Sequence, residues 1–314
     1  MKNYLTLLKK AFFNAVNSDD YMHQSLNAIE EVKKHTEWRG RMESLRYHAV
    51  HDTADGTTSE RYCPEEVIVS LTTYGARIHQ VYLTIESIFE QTRLANRVIL
   101  QLAKDEFEGY TLPMSLQKLQ KRGLEIRYCD DLGCYKKLYP TRLEFPEACI
   151  ITVDDDMIYA PDFVDRLVHA HLETPKVVCA MNAATVQWFL HERRTPSAPI
   201  PDTQPRWLFA CGGSGTLYPP DALYSDALNQ DLFTRLAPHE DDTWWCVMEL
   251  LQGTKVRRLS LWPSDGGMQN PEVQSRSLNA WRKSSIDGHL EEQRAVLKYY
   301  GIDNEQVWIE RGWV

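Results

Sequence analysis

The chain has 314 residues, of which 43% are hydrophobic and 25% charged, an ordinary balance for a globular protein with a sizeable core. Its 35 Lys and Arg residues against 44 Asp and Glu residues give a net charge of −9, so we expect no nucleic-acid partner, which would require a strongly basic face. No run of about 18 uninterrupted apolar residues occurs, so no membrane span is predicted and a cytoplasmic protein is expected.

The N-terminal segment Met1–Phe13 has the pattern of an amphipathic helix, and Lys9 and Lys10 interrupt it too early for a signal peptide. It either packs on the main domain or on another copy of the chain, or lies peripherally on the inner face of the cell membrane. Residues 1–60 are predicted to be an N-terminal helical extension. A homo-oligomer is also predicted as a possibility, with Trp308 and Trp313 near the C-terminus burying against a second copy.

Strand-like and helical segments alternate from residue 61 onward. The predicted strands are Val67–Leu71, Arg97–Leu102, Leu124–Tyr128, Cys149–Val153 and Val177–Met181, and the predicted helices are Thr84–Thr92, Leu112–Arg122, Lys136–Leu143, Phe163–Leu172 and Trp244–Leu251. This alternation predicts an α/β fold with a mainly parallel sheet flanked by helices. Residues 191–206 are long, polar and irregular, which predicts either a mobile lid or an insertion.

The chain contains 7 cysteines, an odd number, and none of them forms a Cys-x-x-Cys pair. Several lie inside apolar, strand-like runs. The pattern predicts buried free thiols in a reducing compartment and no zinc site.

Three consecutive carboxylates, Asp154, Asp155 and Asp156, end the apolar strand Cys149–Val153. Two such charges about 4 Å apart repel by about 4 kcal/mol at an effective dielectric of 20, so a compensating charge is needed. A hard divalent cation, Mn²⁺ or Mg²⁺, is the simplest candidate. Alternation along an extended strand predicts Asp154 and Asp156 on one side and Asp155 on the other. Asp156 is the first choice for the metal, and Asp154 either binds a ribose or shares the metal.

Two loops are expected at the same edge of the sheet, where open α/β sheets bind nucleotides. The first, Ser-Leu-Thr-Thr-Tyr-Gly-Ala-Arg at 70–77, offers hydroxyls, a ring and a guanidinium for a nucleotide, although it could equally be an ordinary turn at Gly75. The second contains Asp130 and Asp131, which either accept hydrogen bonds from a base or ribose or cap a helix. Lys136 and Lys137 follow, and either one faces a diphosphate or both lie on a solvated helix face.

Further along the chain, a glycine-rich segment at 211–220 permits close approach to a ligand. It is followed by Glu240, Asp241 and Asp242 and then by Trp244 and Trp245. The carboxylates either cap the helix that follows or act as a general base on an acceptor hydroxyl. Two rings beside carboxylates also resemble a sugar site, in which the rings stack on a pyranose.

These motifs in this order, from the 70–77 loop to Thr-Val-Asp-Asp-Asp-Met-Ile-Tyr at 152–159 and Glu-Asp-Asp at 240–242, resemble those of bacterial GT-A-fold glycosyltransferases from surface-polysaccharide gene clusters. The match covers about Val67 to Leu261. The Asp triplet is similar to the family's Asp-x-Asp motif, and Glu-Asp-Asp to the motif that supplies the base in inverting members. The resemblance implies a GT-A domain at 61–314, with a nucleotide-binding half at 61–160 and an acceptor-binding half with the C-terminal tail at 161–314.

The resemblance also implies roles for individual residues. Nucleotide and donor contacts fall on Thr72, Thr73, Tyr74, Arg77, Asp131, Lys137, Asp154, Asp155, Gly213 and Ser214. Asp156, with Asp154, is implied to hold the metal, and His289 is a candidate third ligand. Asp241 or Asp242 is implied to be the catalytic base.

The predicted function is therefore metal-dependent transfer of a sugar from a nucleoside diphosphate sugar, taken as UDP-linked, to a hydroxyl of a glycan or lipid-linked glycan, with inversion. One alternative is a nucleotidyltransferase acting on sugar phosphates, although its first loop would usually be richer in Gly, Arg and Lys than 70–77 is. Another is a non-catalytic carbohydrate-binding protein of the same fold.

Overall fold

The computed structural model describes residues 20–192, 200, 203–259, 267–270, 272–273 and 286–314. The chain divides into two compact units, Met1–Asp52 and Thr53–Val314. In the first unit, the described residues form one long helix, α1 (Asp20–His51). The predicted amphipathic helix at Met1–Phe13 lies outside the described residues. None of the helices within the described ranges is long and apolar enough to cross a membrane.

The second unit is built around a sheet that contains seven strands among the described residues. Its strands are β1 (Val67–Thr72), β2 (Arg97–Ala103), β3 (Leu124–Cys129), β4 (Cys149–Thr152), β6 (Val178–Ala180), β9 (Thr216–Tyr218) and β10 (Val256–Arg258), and β5 (Met157–Tyr159), β7 (Ala183–Thr185), β8 (Leu208–Ala210) and β11 (Gly267–Gln269) form two small antiparallel pairs. The order in the sheet is β10-β6-β9-β4-β1-β2-β3. All neighbours are parallel except β9, which runs antiparallel to β4 and β6. The predicted mainly parallel sheet is therefore confirmed.

Helices of the second unit pack on the two faces of this sheet or on one another. They are α2 (Val81–Phe89), α3 (Lys104–Phe107), α4 (Met114–Gln120), α5 (Tyr139–Glu144), α6 (Phe163–Glu173), α7 (Val186–Leu190), α8 (Gln230–Leu236), α9 (Asp241–Gln252), α10 (Ile286–Tyr299) and α11 (Glu305–Glu310). In β1, Val67 and Val69 belong to one hydrophobic core and Ile68 belongs to the other. A strand with both faces buried must be apolar at every position, which explains the continuous apolar run of β1.

The helix predicted at Lys136–Leu143 differs from the structure. Instead of one helix, the chain forms a 3₁₀ turn at Gly133–Lys137 and then α5. Pro140 would stand inside a helix over Lys136–Leu143, where its missing N–H and its ring oppose a continuous α-helix, but it is tolerated in the first turn of α5. In the segment 191–206, which was predicted to be a lid or an insertion, residues 193–199, 201 and 202 lie outside the described residues.

Candidate active site

A cavity of about 640 Å³ opens at the edge of the sheet where β1, β3 and β4 end. It is lined by all of the predicted site residues except His289: Thr72, Thr73, Tyr74, Arg77, Asp131, Lys137, Asp154, Asp155, Asp156, Gly213, Ser214, Asp241 and Asp242. His289 lies in α10, and its side chain is outside the described residues. Four parts of the chain that are distant in sequence thus meet at the carboxyl ends of the parallel strands.

The second and third carboxylates of the triplet are neutralised by the protein itself. Arg77 Nη2 lies 2.6 Å from Asp155 Oδ1 and 2.9 Å from Asp156 Oδ2, and all three side chains are buried. Thr73 Oγ1 donates a further hydrogen bond of 2.5 Å to Asp155 Oδ2. Burial raises the pKa of Asp155 to about 7, while Arg77 and Thr73 oppose that shift. Charge repulsion within the triplet therefore does not by itself require a metal ion.

The predicted alternation of the three carboxylates is wrong. Strand β4 ends at Thr152, and Asp155 and Asp156 lie in the turn that follows it. A turn rotates successive side chains differently from an extended strand, which lets the Arg77 guanidinium reach both carboxylates. Asp154 instead points to a different cation.

Lys137 connects the two halves of the cavity. Its ammonium lies 3.2 Å from Asp154 Oδ1 and 3.2 Å from Asp241 Oδ2. Burial alone would lower the pKa of Lys137, but the charges of Asp154, Asp241 and Asp242 raise it well above its ordinary value. Lys137 is therefore a permanent cation between a carboxylate of the triplet and a carboxylate of α9.

Asp242 has the properties of a proton acceptor that works near neutral pH. Burial, with the negative charge of neighbouring Asp241, raises the pKa of Asp242 to about 7. Its Oδ1 accepts a hydrogen bond of 3.3 Å from the backbone N–H of Gly212, which fixes its orientation. The side chain of Asp242 is less buried than that of Asp241. A carboxylate with a pKa near the working pH is the form that general-base catalysis favours.

The predicted stacking role of Trp244 and Trp245 is not what the structure shows. Both rings are buried in the core on one face of the sheet. Trp244 Nε1 donates to the backbone oxygen of Ala227, and Trp245 packs edge-to-face on Tyr135. The helix α9 begins at Asp241, so its first turn presents carboxylates to the cavity while the next residues turn into the core.

Hydrogen bonds and an ion pair, within the loops or to the neighbouring strand β2, hold three more of the predicted residues. Thr72 Oγ1 donates to the backbone oxygen of Gln101, and the hydroxyl of Tyr74 accepts a bond of 3.2 Å from Arg77 Nη1. Asp131 pairs with the ammonium of Lys136 and accepts from the backbone N–H of Gly133. Burial of Asp131 opposes these bonds, but their net effect is to lower its pKa.

Two further features, one beneath the cavity and one in its lining, were not singled out from the sequence. The hydroxyl of Tyr159 donates to Gly213 O and accepts from the backbone N–H of Asp154, both at 2.9 Å, and so clamps the triplet to the glycine-rich segment. His239 lines the cavity, and its Nδ1 lies 2.8 Å from Glu292 Oε1 of α10. The contacts Tyr159–Gly213 and His239–Glu292 do not follow from local pattern, because each joins residues more than 50 positions apart in the chain.

Gly213 is expected to be essential for the position of Asp154. A Cβ at Gly213 would lie 2.3 Å from Asp154 Oδ2, so Gly213→Ala must displace that carboxylate from Lys137. We expect the variant to fold but to unfold at a lower temperature than the unmodified protein, as measured by calorimetry, because the buried Lys137 ammonium loses one of its two carboxylate partners. Gly40→Ala is the matched control, because nothing lies within 4 Å of its added Cβ. Equal unfolding temperatures of the two variants would contradict this expectation.

Comparison with known proteins gives only distant structural similarity. No family model matches the chain, and no curated protein matches it. Among solved structures, the mannosyltransferase PcManGT from Pyrobaculum calidifontis in complex with GDP-Man and Mn²⁺ is 14% identical, with 87% of this chain and 79% of that one covered and a TM-score of 0.48. Glucosyl-3-phosphoglycerate synthase from Mycobacterium tuberculosis, in complex with Mn²⁺, UDP and phosphoglyceric acid, is 13% identical over 80% and 88% of the two chains, with a TM-score of 0.44.

A CMP:2-keto-3-deoxy-manno-octonic acid synthetase complexed with CTP is also similar, at 13% identity over 70% of this chain and 99% of that one, with a TM-score of 0.42. All three similarities have TM-scores below 0.5, and they assign no activity to this chain. The function therefore has to be inferred from the side chains that line the cavity.

Proposed function

We propose that this protein is a glycosyltransferase that moves a sugar from a nucleoside diphosphate sugar, UDP-linked in our proposal, to an acceptor hydroxyl with inversion. One observation carries the proposal. Within a single cavity, the Lys137 ammonium lies 3.2 Å from both Asp154 and Asp241, and Asp242 stands beside them with its pKa raised to about 7. A cation for a departing diphosphate and a base for an incoming hydroxyl are the two groups that this reaction needs.

The carboxylate oxygens of Asp154 and Asp156 are ligands of the type that divalent metal ions bind. Asp154 and Asp156 are oxygen donors that line the cavity, and Mg²⁺ sites beside substrate phosphates use only one or two protein carboxylates. The absence of a Cβ at Gly213 leaves the space that Asp154 Oδ2 occupies. We therefore propose Asp154 and Asp156 as the residues that would hold Mn²⁺ or Mg²⁺. When bound, such an ion would stabilise negative charge on the diphosphate.

In the proposed reaction, the bond between the anomeric carbon and the diphosphate oxygen breaks as the bond to the acceptor oxygen forms. The anomeric carbon gains oxocarbenium character, as in glycoside hydrolysis. Lys137 stabilises the charge that builds on the departing nucleoside diphosphate, and Asp242 takes the proton of the acceptor hydroxyl. Asp241 keeps Lys137 oriented through the 3.2 Å contact.

Two observations weigh against the alternative functions. A nucleotidyltransferase would place several cationic groups in the first loop, but residues 70–77 contain one Arg and no Lys. A purely carbohydrate-binding protein would use exposed aromatic rings, but Trp244 and Trp245 are buried. Both observations favour glycosyl transfer as the function of this cavity.

The finer features of the function are part of the same proposal. The acceptor is proposed to be a glycan or lipid-linked glycan in the synthesis of a bacterial surface polysaccharide. The reaction is proposed to take place in the cytoplasm, with peripheral membrane contact and self-association. The prediction that Trp308 and Trp313 bury against a second copy is wrong, because both are buried in the core of this chain. His289 is kept as a proposed third metal ligand.

The direct test is to screen nucleoside diphosphate sugars for release of the free nucleoside diphosphate, with and without Mn²⁺. We expect metal-dependent release from at least one donor. Asp154→Asn is expected to weaken metal-dependent binding of UDP by at least about 10-fold, because it removes a charged oxygen donor. Asp162→Asn is the matched control, since Asp162 is exposed and does not line the cavity. Metal-independent binding of UDP that Asp154→Asn leaves unchanged would refute the metal assignment, and absence of release from every donor would refute the transferase.

A further inference from the structure

Four side chains capable of binding a metal meet at the edge of the sheet opposite the cavity. Cys63 and Glu65 directly precede β1, Cys149 is the first residue of β4, and His171 lies in the last turn of α6. The backbone N–H of Cys149 donates to the oxygen of Glu66, which holds the starts of β1 and β4 together. These residues take no part in the site described above.

Three of the four side chains bring their ligand atoms together: Cys63 Sγ, a carboxylate oxygen of Glu65 and a ring nitrogen of His171 all lie within 4.8 Å of one another. Cys149 approaches this group through His171. His171 Nε2 is 3.2 Å from Glu65 Oε2 and 3.3 Å from Cys149 Sγ. His171 Nε2 is thus the ligand atom that contacts both Glu65 and Cys149.

We propose that Cys63, Glu65, Cys149 and His171 form a structural zinc site. Zinc is bound by thiolate, imidazole and carboxylate at about 2.0–2.3 Å in a tetrahedron, which places neighbouring ligand atoms about 3.3–3.8 Å apart. The observed separations of 3.2 and 3.3 Å from His171 Nε2 match that spacing, and zinc binding would draw Cys63, Cys149 and Glu65 together around the ion. Two sulfur ligands and one nitrogen ligand select zinc over Mg²⁺ or Mn²⁺.

The surroundings of the cluster favour a structural role. Cys63, Cys149 and His171 are buried, at 7%, 0% and 1% exposure, and Glu65 is partly exposed. Four protein ligands leave no open position for a substrate or water, which is the pattern of a structural site. A bound ion would tie together the starts of two central strands and the end of α6. Because the ligands are spread over residues 63–171, no short sequence motif could predict the site.

The test uses the full chain, reduced, stripped with a chelator and reloaded with Zn²⁺ or Co²⁺. We expect one zinc ion per chain that survives dialysis in addition to any weaker ion, and a cobalt spectrum with thiolate charge-transfer bands and tetrahedral d–d bands. The cobalt spectrum of the unmodified chain tests the site even if a variant fails to fold. Zinc is also expected to raise the unfolding temperature of the stripped protein.

Variants assign the ion to the cluster. Cys63→Ala is expected to lose the retained zinc and the charge-transfer bands. Cys179→Ala is the matched control, because Cys179 is also a buried thiol, in β6, and lies outside the cluster. Asp154→Asn should also retain the zinc, which separates this site from the cavity. Absence of thiolate bands, retention of the ion by Cys63→Ala, or a Cys63–Cys149 disulfide found by mass spectrometry of the unreduced chain would each overturn the proposal.

Discussion

Asp242→Asn is expected to reduce kcat by about 10²- to 10⁴-fold, the usual contribution of a general base. The amide keeps the size of the side chain but cannot accept the proton of the acceptor hydroxyl. In the unmodified protein, activity should rise with pH through about 7, because burial and Asp241 raise the pKa of Asp242 to about that value and only the ionised form acts as a base. Steady-state rates measured from pH 5 to 9 with the best donor, at a fixed acceptor concentration, would show both effects.

The same substitution is expected to stabilise the folded protein, which separates a lost base from a lost fold. A carboxylate whose pKa is raised in the folded state binds its proton more tightly there than in the unfolded chain. The free energy of unfolding of the unmodified protein therefore falls as the pH rises from 3.8 to about 7. Asn does not ionise. The unfolding temperature of Asp242→Asn relative to the unmodified protein should therefore increase over this interval and level off above it.

Asp231→Asn is the matched control for this prediction. Asp231 also lies in the first turn of a helix, α8, but it is exposed and does not line the cavity. Its substitution should leave both kcat and the pH profile unchanged. An acid limb near pH 7 that persists in Asp242→Asn would show that another group is the base.

Arg77→Met is expected to lower the free energy of unfolding by about 3–5 kcal/mol, the usual cost of removing one partner from a buried ionic group. The change leaves Asp155 and Asp156 without the guanidinium that contacts them at 2.6 and 2.9 Å. Denaturation in urea, followed by circular dichroism, measures the loss. Arg77→Lys should recover only part of it, because an ammonium cannot reproduce the planar fork.

The pH dependence of Arg77→Met offers an independent check. Loss of the cation should raise the pKa of Asp155 further above about 7, so protonation relieves the buried charge at low pH. The deficit in stability is therefore expected to be larger at pH 8 than at pH 5. The control is Arg93→Ala, which removes a partly exposed ion pair with Asp165 and should cost no more than about 1 kcal/mol. Equal losses for the two variants would mean that the buried carboxylates do not depend on Arg77.

The location of the cavity could be predicted because it depends on topology alone. Once β1, β3 and β4 are recognised as parallel strands, their carboxyl ends must meet at one edge, and the loops at 70–77, 130–137 and 154–156 must meet with them. The glycine-rich segment and Asp241 also line this cavity, as the order of the motifs indicated. Their roles in binding and catalysis remain predictions.

The pairing of charges within that cavity could not be predicted from local pattern. The triplet appeared to need a metal ion because the cations that approach it, Arg77 and Lys137, precede it by many residues. Likewise, the side to which α9 turns Trp244 and Trp245 depends on the direction in which that helix leaves Asp241. Such facts follow from packing rather than from spacing.

The amino-acid sequence by itself determined the alternating strands and helices and the edge at which polar loops collect, because burial periodicity and strand direction are local properties of the chain. Only the tertiary structure decided which cation neutralises which carboxylate, which rings are buried, and that His171 lies beside Cys63, Glu65 and Cys149. The physical reason is that ion pairing and metal ligation act over a few ångströms in space, and residues that are distant along the chain become neighbours only when the sheet is assembled.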